Sequence, residues 1–142
     1  MLWVLAVTGL ITALILSRVD DWGRDFSTNI AMTGDSAKIK PLRLTLAPAE
    51  SLEKLKAAVA QMSHWQWIDE TKTTDAFVVN LVRTTTVFRF KDDIQVTITA
   101  DDASKGSIVN AISRSRVGKG DLGQNPRNLK ELFAKIEATN EK

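Results

Sequence analysis

Cysteine is absent from this 142-residue chain. That absence excludes disulfides, thiol nucleophiles and cysteine-ligated metal, and leaves the redox compartment open. Histidine occurs once, as His64, so a histidine-rich metal centre is excluded too. Neither sign of charge dominates: 19 Lys and Arg against 17 Asp and Glu leave a net +2, too little for the basic surface of a nucleic-acid binder. No internal repeat or low-complexity tract is present. What remains is ordinary globular composition, 44% hydrophobic and 25% charged, in a length that suits one domain.

Met1–Leu16 carries no charged side chain, and only Thr8, Gly9 and Thr12 interrupt its apolar run. As a helix it would span about 24 Å, somewhat short of a hydrocarbon core of ~30 Å. Ser17, Arg18 and Val19 would extend it, with Arg18 snorkelling and Trp3 and Trp22 near the interfaces. A core helix would show a polar face, which this run lacks. A cleaved signal peptide would open on a basic stretch and close on a small-x-small site; no Lys or Arg precedes the run, and Leu14-Ile15-Leu16-Ser17-Arg18 is a poor site. The expectation is an uncleaved, single-pass transmembrane anchor over residues 1–19. The flanking charges, Arg18, Asp20, Asp21, Arg24 and Asp25, nearly cancel and barely vote on orientation. Asp20–Lys40 is polar and without period, and is expected as a linker or irregular arm.

From residue 41 to 142 the pattern is that of one α+β domain. Leu42, Leu44 and Leu46 alternate with Arg43 and Thr45, a half-buried strand. Pro48 suits a first helical turn, and Leu52, Leu55, Val59 and Met62 fall on one helical face. Trp65–Glu70 and Ala76–Thr84 predict two further strands, with Thr85–Lys91 as a bent continuation. Ile94, Val96, Ile98 and Ala100 alternate with Asp93, Gln95, Thr97 and Thr99. Asp101–Gly106 supplies turn residues, and Ser107–Val117 is the return strand. Asn125-Pro126 predicts the start of a terminal helix that buries Leu129, Leu132, Phe133 and Ile136. The order is β-α-β-β-β-β-α: an antiparallel sheet with two helices on one face. That order resembles the TATA-binding-protein-like topology, an analogy of fold only.

The hairpin permits a sharper expectation. If Ala100 pairs with Ser107, then Ile94, Val96 and Ile98 face Ser113, Ala111 and Val109 on the helix-covered side. Asp93, Gln95, Thr97 and Thr99 face Arg114, Ile112, Asn110 and Ile108 on the other. A one-residue slip would bury the arginines. Asp93 and Arg114 are therefore expected on the open sheet face, with Arg116 nearby.

Ser113–Leu129 reads S-R-S-R-V-G-K-G-D-L-G-Q-N-P-R-N-L, downstream of Phe90-Lys91-Asp92-Asp93-Ile94. Together these resemble the bacterial and plastid family of domain of unknown function 1499. Its members carry an F-x-D-D-hydrophobic step followed by S-x-S-R-x-G-x-x-D-x-G-x-N-x-x-R. The likeness is specific over residues 76–136. It implies no settled biochemical activity. Family members often carry export or lipoprotein signals, which implies a membrane-attached protein whose soluble domain is extracytoplasmic (periplasmic). Relatives usually hold an N-C-V-S-type segment where this chain has Ser27-Thr28-Asn29-Ile30, so no role of that cysteine carries over.

Gly118-Lys119-Gly120-Asp121-Leu122-Gly123 satisfies G-x-G-x-x-G, but a dinucleotide site needs a second parallel strand and an acidic residue about 20 residues on. The glycines are better read as positive-φ positions in a tight strand-to-helix turn. Amides at the helix start, with Lys119 and Arg127 close by, would attract an anion unless the helix satisfies them with its own caps. Asp121 is expected to tie the turn by bonding backbone amides. Asp93 with Arg114 and Arg116 either grips a carboxylate or phosphate through the arginines, or forms an ion-pair network that fixes the hairpin to the turn. Asp92 and Asp93 point to opposite faces and are poorly placed as an acid and base pair. His64 suits a surface or capping role, Ser113 and Ser115 let helices approach the sheet, and Trp65 and Trp67 share a core face.

The ligand-binding candidates are thus Asp93, Arg114, Arg116, Lys119, Asp121, Asn125 and Arg127, with no catalytic residue, metal or cofactor assigned. The leading expectation is a membrane-anchored, non-enzymatic binding or interaction module of the cell envelope. Its partner would be a small anionic ligand or an envelope protein, not nucleic acid. An enzyme using Asp93, Arg114, Arg116 and Asp121, and a purely structural envelope component, are the alternatives.

Overall fold

Alternating sequence becomes a sheet once each strand finds the partner that covers its apolar parity. The computed structural model describes residues 2–17, 22–34 and 39–139. In chain order the elements are Leu2–Leu16 (α1), Trp22–Ser27 (α2), Ile30–Met32 (β1), Leu42–Leu44 (β2), Pro48–Ala60 (α3), Trp65–Lys72 (β3), Ala76–Thr84 (β4), Lys91–Asp101 (β5), Gly106–Ser115 (β6) and Gln124–Ala138 (α4). The class is α+β, with a six-stranded antiparallel sheet.

The β5–β6 hairpin has the expected register, with Ala100 opposite Ser107, Val96 opposite Ala111 and Asp93 opposite Arg114. β4 lies on the other side of β5, and β3 forms the far edge. The outer side of β6 is shared by two short strands: β1 pairs with Ile112–Arg114, and β2 with Ser107–Val109. β1 lies within the stretch expected as a linker; a strand of 3 residues is too short to show a period.

One face of the sheet presents Val79, Leu81, Ile94, Val96, Ile98, Val109 and Ala111. Leu52, Leu55, Ala58 and Val59 of α3 and Leu129, Leu132, Phe133 and Ile136 of α4 join them in a single core. Full burial of each leucine or isoleucine contributes about 1.5–3 kcal/mol. A buried hydrogen bond between the Ser51 and Ser107 hydroxyls, 2.7 Å long, ties α3 to β6.

The N-terminal expectation is corrected. No helix among the described residues is long and apolar enough to cross a membrane. α1 has 15 residues, about 22 Å of helix against a ~30 Å core. Its residues are apolar, but the last helical bond closes from the Ser17 amide to Ala13. The extension through Arg18 and Val19 lies outside the described residues, as do the flanking charges Asp20 and Asp21. Single-pass membrane localisation is therefore not supported.

Asp101, at the end of β5, is buried and bonds the Arg43 guanidinium of β2 and the Ala103 amide. The Ser104 hydrogen bond, and then Arg43, hold its carboxyl below the usual carboxylate range although burial opposes them. A depressed folded-state pKa stabilises the fold above the ordinary carboxylate range, and that contribution is lost as pH falls through the folded value. Asp101→Asn should therefore flatten the fall of Tm below about pH 4 relative to wild type. Superimposable acid limbs would remove Asp101 from the account.

Candidate functional site

At one end of the helix-covered face, alternation places polar side chains where aliphatic ones would continue the core. Register carries a single row across four strands: Trp65 opposite Arg83, Arg83 opposite Asp92, Asp92 opposite Ser115. Asp92, Ser113 and Ser115 are all buried. Buried polar groups must be paired, and the start of α4 supplies the partners.

Asn125 and Asn128 are three residues apart, so both face the sheet, and both are fully buried. The Asn125 carbonyl oxygen accepts from the Ser113 hydroxyl at 2.6 Å. Its amide nitrogen donates to the Asn29 carbonyl at 2.7 Å and to the Ser115 hydroxyl oxygen at 3.1 Å. Asn128 Nδ2 donates to Asp92 Oδ2 at 2.9 Å and to Ser113 Oγ at 3.1 Å. The Ser115 hydroxyl in turn donates to Asp92 Oδ1 at 2.7 Å. Each serine donates once and accepts once, so the network closes. Ser113 and Ser115 do more than make room for helices: they pin α4 to β6.

The turn between β6 and α4 explains how Asn125 is spared for this role. Gly118 and Gly123 take φ of +94° and +75°, as glycine permits. Asp121 then caps the helix, accepting the Gly123 amide on Oδ1 and the Asn125 amide on Oδ2, each at 2.9 Å. α4 consequently opens at Gln124, and Asn125 sits inside the first turn instead of at the cap. The Gln124 and Arg127 amides bond the Asp121 and Gly123 carbonyls. The helix start is thus satisfied by its own chain. Arg127 folds back, donating to the Leu122 carbonyl and the Gln124 side chain.

The remaining candidates lie elsewhere. Asp93, Arg114 and Arg116 occupy the open face. There the Arg116 Nε and Nη2 grip Asp93 at 2.9 and 2.6 Å, with both side chains about half exposed. That carboxylate, by hydrogen bond and charge, raises the Arg116 pKa. Arg114 stands opposite Asp93 in register, yet Asp93 takes Arg116 as its ion-pair partner. Lys119 is exposed on the turn. The seven candidates therefore fall into an open-face group, Asp93, Arg114 and Arg116, a helix-start group, Asp121, Asn125 and Arg127, and Lys119 between them.

Beside the polar row is a cavity of about 530 Å³, between the β4–β5 loop and the glycine turn. Its walls are apolar: Val87, Phe88 and Phe90 from the loop, Val117 and Leu122 from the turn. The Phe88 and Phe90 rings are stacked with centroids 5.5 Å apart. Asp92, Ser115 and Arg83 are polar lining groups, with Asp121, Gln124 and Arg127 along the turn side. Arg83 Nε lies 3.4 Å from Glu131 Oε2, an ion pair, yet Nε and Nη1 are both buried without a hydrogen-bond partner. The indole N–H of Trp65, its neighbour in the row, is also buried and unpaired. Among the described residues no group of three or more carboxylate or imidazole side chains assembles as a metal site.

Arg83, Asn128, Phe88 and Phe90 are not among the seven candidates drawn from the sequence. Parity held the signal: Phe77, Val79 and Leu81 lead to Arg83, and Ile98, Val96 and Ile94 lead back to Asp92. A charged residue on a buried parity needs an explanation.

Residues 18–136 match the model of the family described as protein of unknown function, DUF1499. The chain belongs to the DUF1499 family. No curated protein and no solved structure matches it. The buried network is assembled from the family motif quoted above, Asp92, Ser113, Ser115, Asp121, Gly123 and Asn125.

Proposed function

We propose that this DUF1499 domain is a non-enzymatic binding module whose ligand seat is the cavity between the β4–β5 loop and the glycine turn. The observation that carries this reading is a concave site of about 530 Å³ whose apolar walls meet a few fixed polar groups, the common form of a small-molecule site. Two of its polar groups, Asp92 and Ser115, are held by the Asn125 and Asn128 network, so little order would have to be gained there on binding. Binding is favoured over catalysis by how those groups are engaged. The Ser115 hydroxyl donates to Asp92 and accepts from Asn125, and both Asp92 oxygens accept hydrogen bonds. The open-face Asp93–Arg116 pair, by contrast, sits on exposed surface.

The test is a fragment screen on the whole protein by thermal shift and ligand-observed NMR. Fragments should bind wild type and Arg116→Ala alike, and lose binding in Val117→Trp, which fills the cavity from an exposed wall position. Hits that survive Val117→Trp but vanish with Arg116→Ala would move the site to the open face and overturn the reading.

A further inference from the structure

We infer that the cavity takes an organic monoanion, a carboxylate on an apolar body, with Arg83 as its counter-ion. The inference rests on the binding-module reading and goes one step past it, to the chemistry of the ligand.

Arg83 is an unusual occupant of its position. It continues the buried parity of β4, and its side chain is 17% exposed. Its side chain is a planar guanidinium with donors only and no acceptor. Nε and Nη1 are both buried without a hydrogen-bond partner, and unsatisfied buried donors are unfavourable. Asp92 is the register partner across β5, yet its oxygens are taken by Ser115 and Asn128 and it forms no ion pair with Arg83. The nearest carboxylate, Glu131, approaches Nε alone, from α4, and is about half exposed. Glu131 does not line the cavity, whereas Arg83 does. The unsatisfied donors are thus on a cation whose side chain also lines the cavity. A carboxylate in the cavity complements that cation in charge.

The rest of the cavity sets the remainder of the ligand. Val87, Phe88 and Val117 are 79%, 70% and 59% exposed, an apolar surface that a hydrocarbon or aromatic body would cover. The lining holds two arginines, Arg83 and Arg127, against two aspartates, Asp92 and Asp121. That balance leaves no net positive charge in the lining to offset the two charges of a phosphate monoester.

Phenylacetate and its neutral isostere phenylacetamide separate charge from shape, and isothermal titration calorimetry on the whole protein reads both. Phenylacetate should bind wild type about ten-fold tighter than the amide. Arg83→Gln should abolish the preference while the amide still binds. Glu131→Gln, at a surface position that threatens folding less, removes the competing carboxylate and should strengthen phenylacetate several-fold, leaving the amide unchanged. Phe88→Ala should weaken both ligands. Equal affinity for acid and amide in wild type, or a preference indifferent to both Arg83→Gln and Glu131→Gln, overturns the inference and leaves the binding module standing. Binding of neither compound overturns the inference, and if the fragment screen also finds no occupant sensitive to Val117→Trp, the module reading falls with it.

Discussion

Asn125→Ala is expected to destabilise the protein by about 3 kcal/mol, and to lower Tm by about 10 °C for a domain of this size. The side chain is fully buried and bonds the Ser113 hydroxyl, the Asn29 carbonyl, the Ser115 hydroxyl and the Asp121 carboxylate. Truncation strips all of them at once, in a place water does not reach, and an orphaned buried group costs about 1–3 kcal/mol. Partial relaxation brings the sum below simple addition. Urea denaturation followed by circular dichroism measures the loss. A change under about 0.5 kcal/mol, the level of an ordinary surface substitution, would show that the network does not hold α4 on the sheet. Hydrogen exchange adds a local readout: the amide of Ser115, bonded to the Asn29 carbonyl, should lose protection ahead of β4 and β5.

Gly106→Ala should be at least as severe, through steric overlap instead of lost bonds. A Cβ built at Gly106 would lie 2.0 Å from the Leu44 carbonyl oxygen, 3.1 Å from its carbon and 3.2 Å from the Thr45 Cα. Those atoms are backbone, so no rotamer change relieves the clash, and β2 has to move off β6. Overpacking of this kind costs about 3 kcal/mol. The β2–β6 pairing and the Arg43–Asp101 ion pair move together, because both depend on where β2 lies. The variant should therefore show both a lower Tm and a weaker Asp101 signature in its acid limb. An alanine variant as stable as wild type would mean that β2 does not sit against β6 at Gly106.

The helix-side core and the open face were legible because period is a local property. Ile94, Val96 and Ile98 can be assigned to one side of the sheet from the chain alone, and a turn at Asp101–Gly106 then aligns β6 to within the correct partner. The stripe of Leu129, Leu132, Phe133 and Ile136 was equally plain. Where the reading went astray, the local pattern was incomplete or overridden. The run Met1–Leu16 is largely apolar, but hydropathy does not report how long a helix it makes, and α1 is too short to cross a membrane. Asn125-Pro126 resembles a cap, yet Asp121 takes the Gly123 and Asn125 amides once Gly118 and Gly123 let the chain curl back, and the helix already opens at Gln124.

The candidate site shows the boundary most clearly. Asp93, Arg114 and Arg116 were placed on the right face; which arginine takes the carboxylate depends on side-chain reach across the hairpin end, and Arg116 has it. Asp92, Arg83 and Ser115 come together only because four strands stack in register, and Asn125 finds Asn29 across 96 residues of chain. The sequence by itself determined which side of the sheet each strand residue faces and where the core lies, since both follow from short-range alternation. Only the tertiary structure decided which buried polar groups meet, which buried donors are left without a hydrogen-bond partner, and where a cavity opens, because those depend on distances between segments that no local pattern encodes.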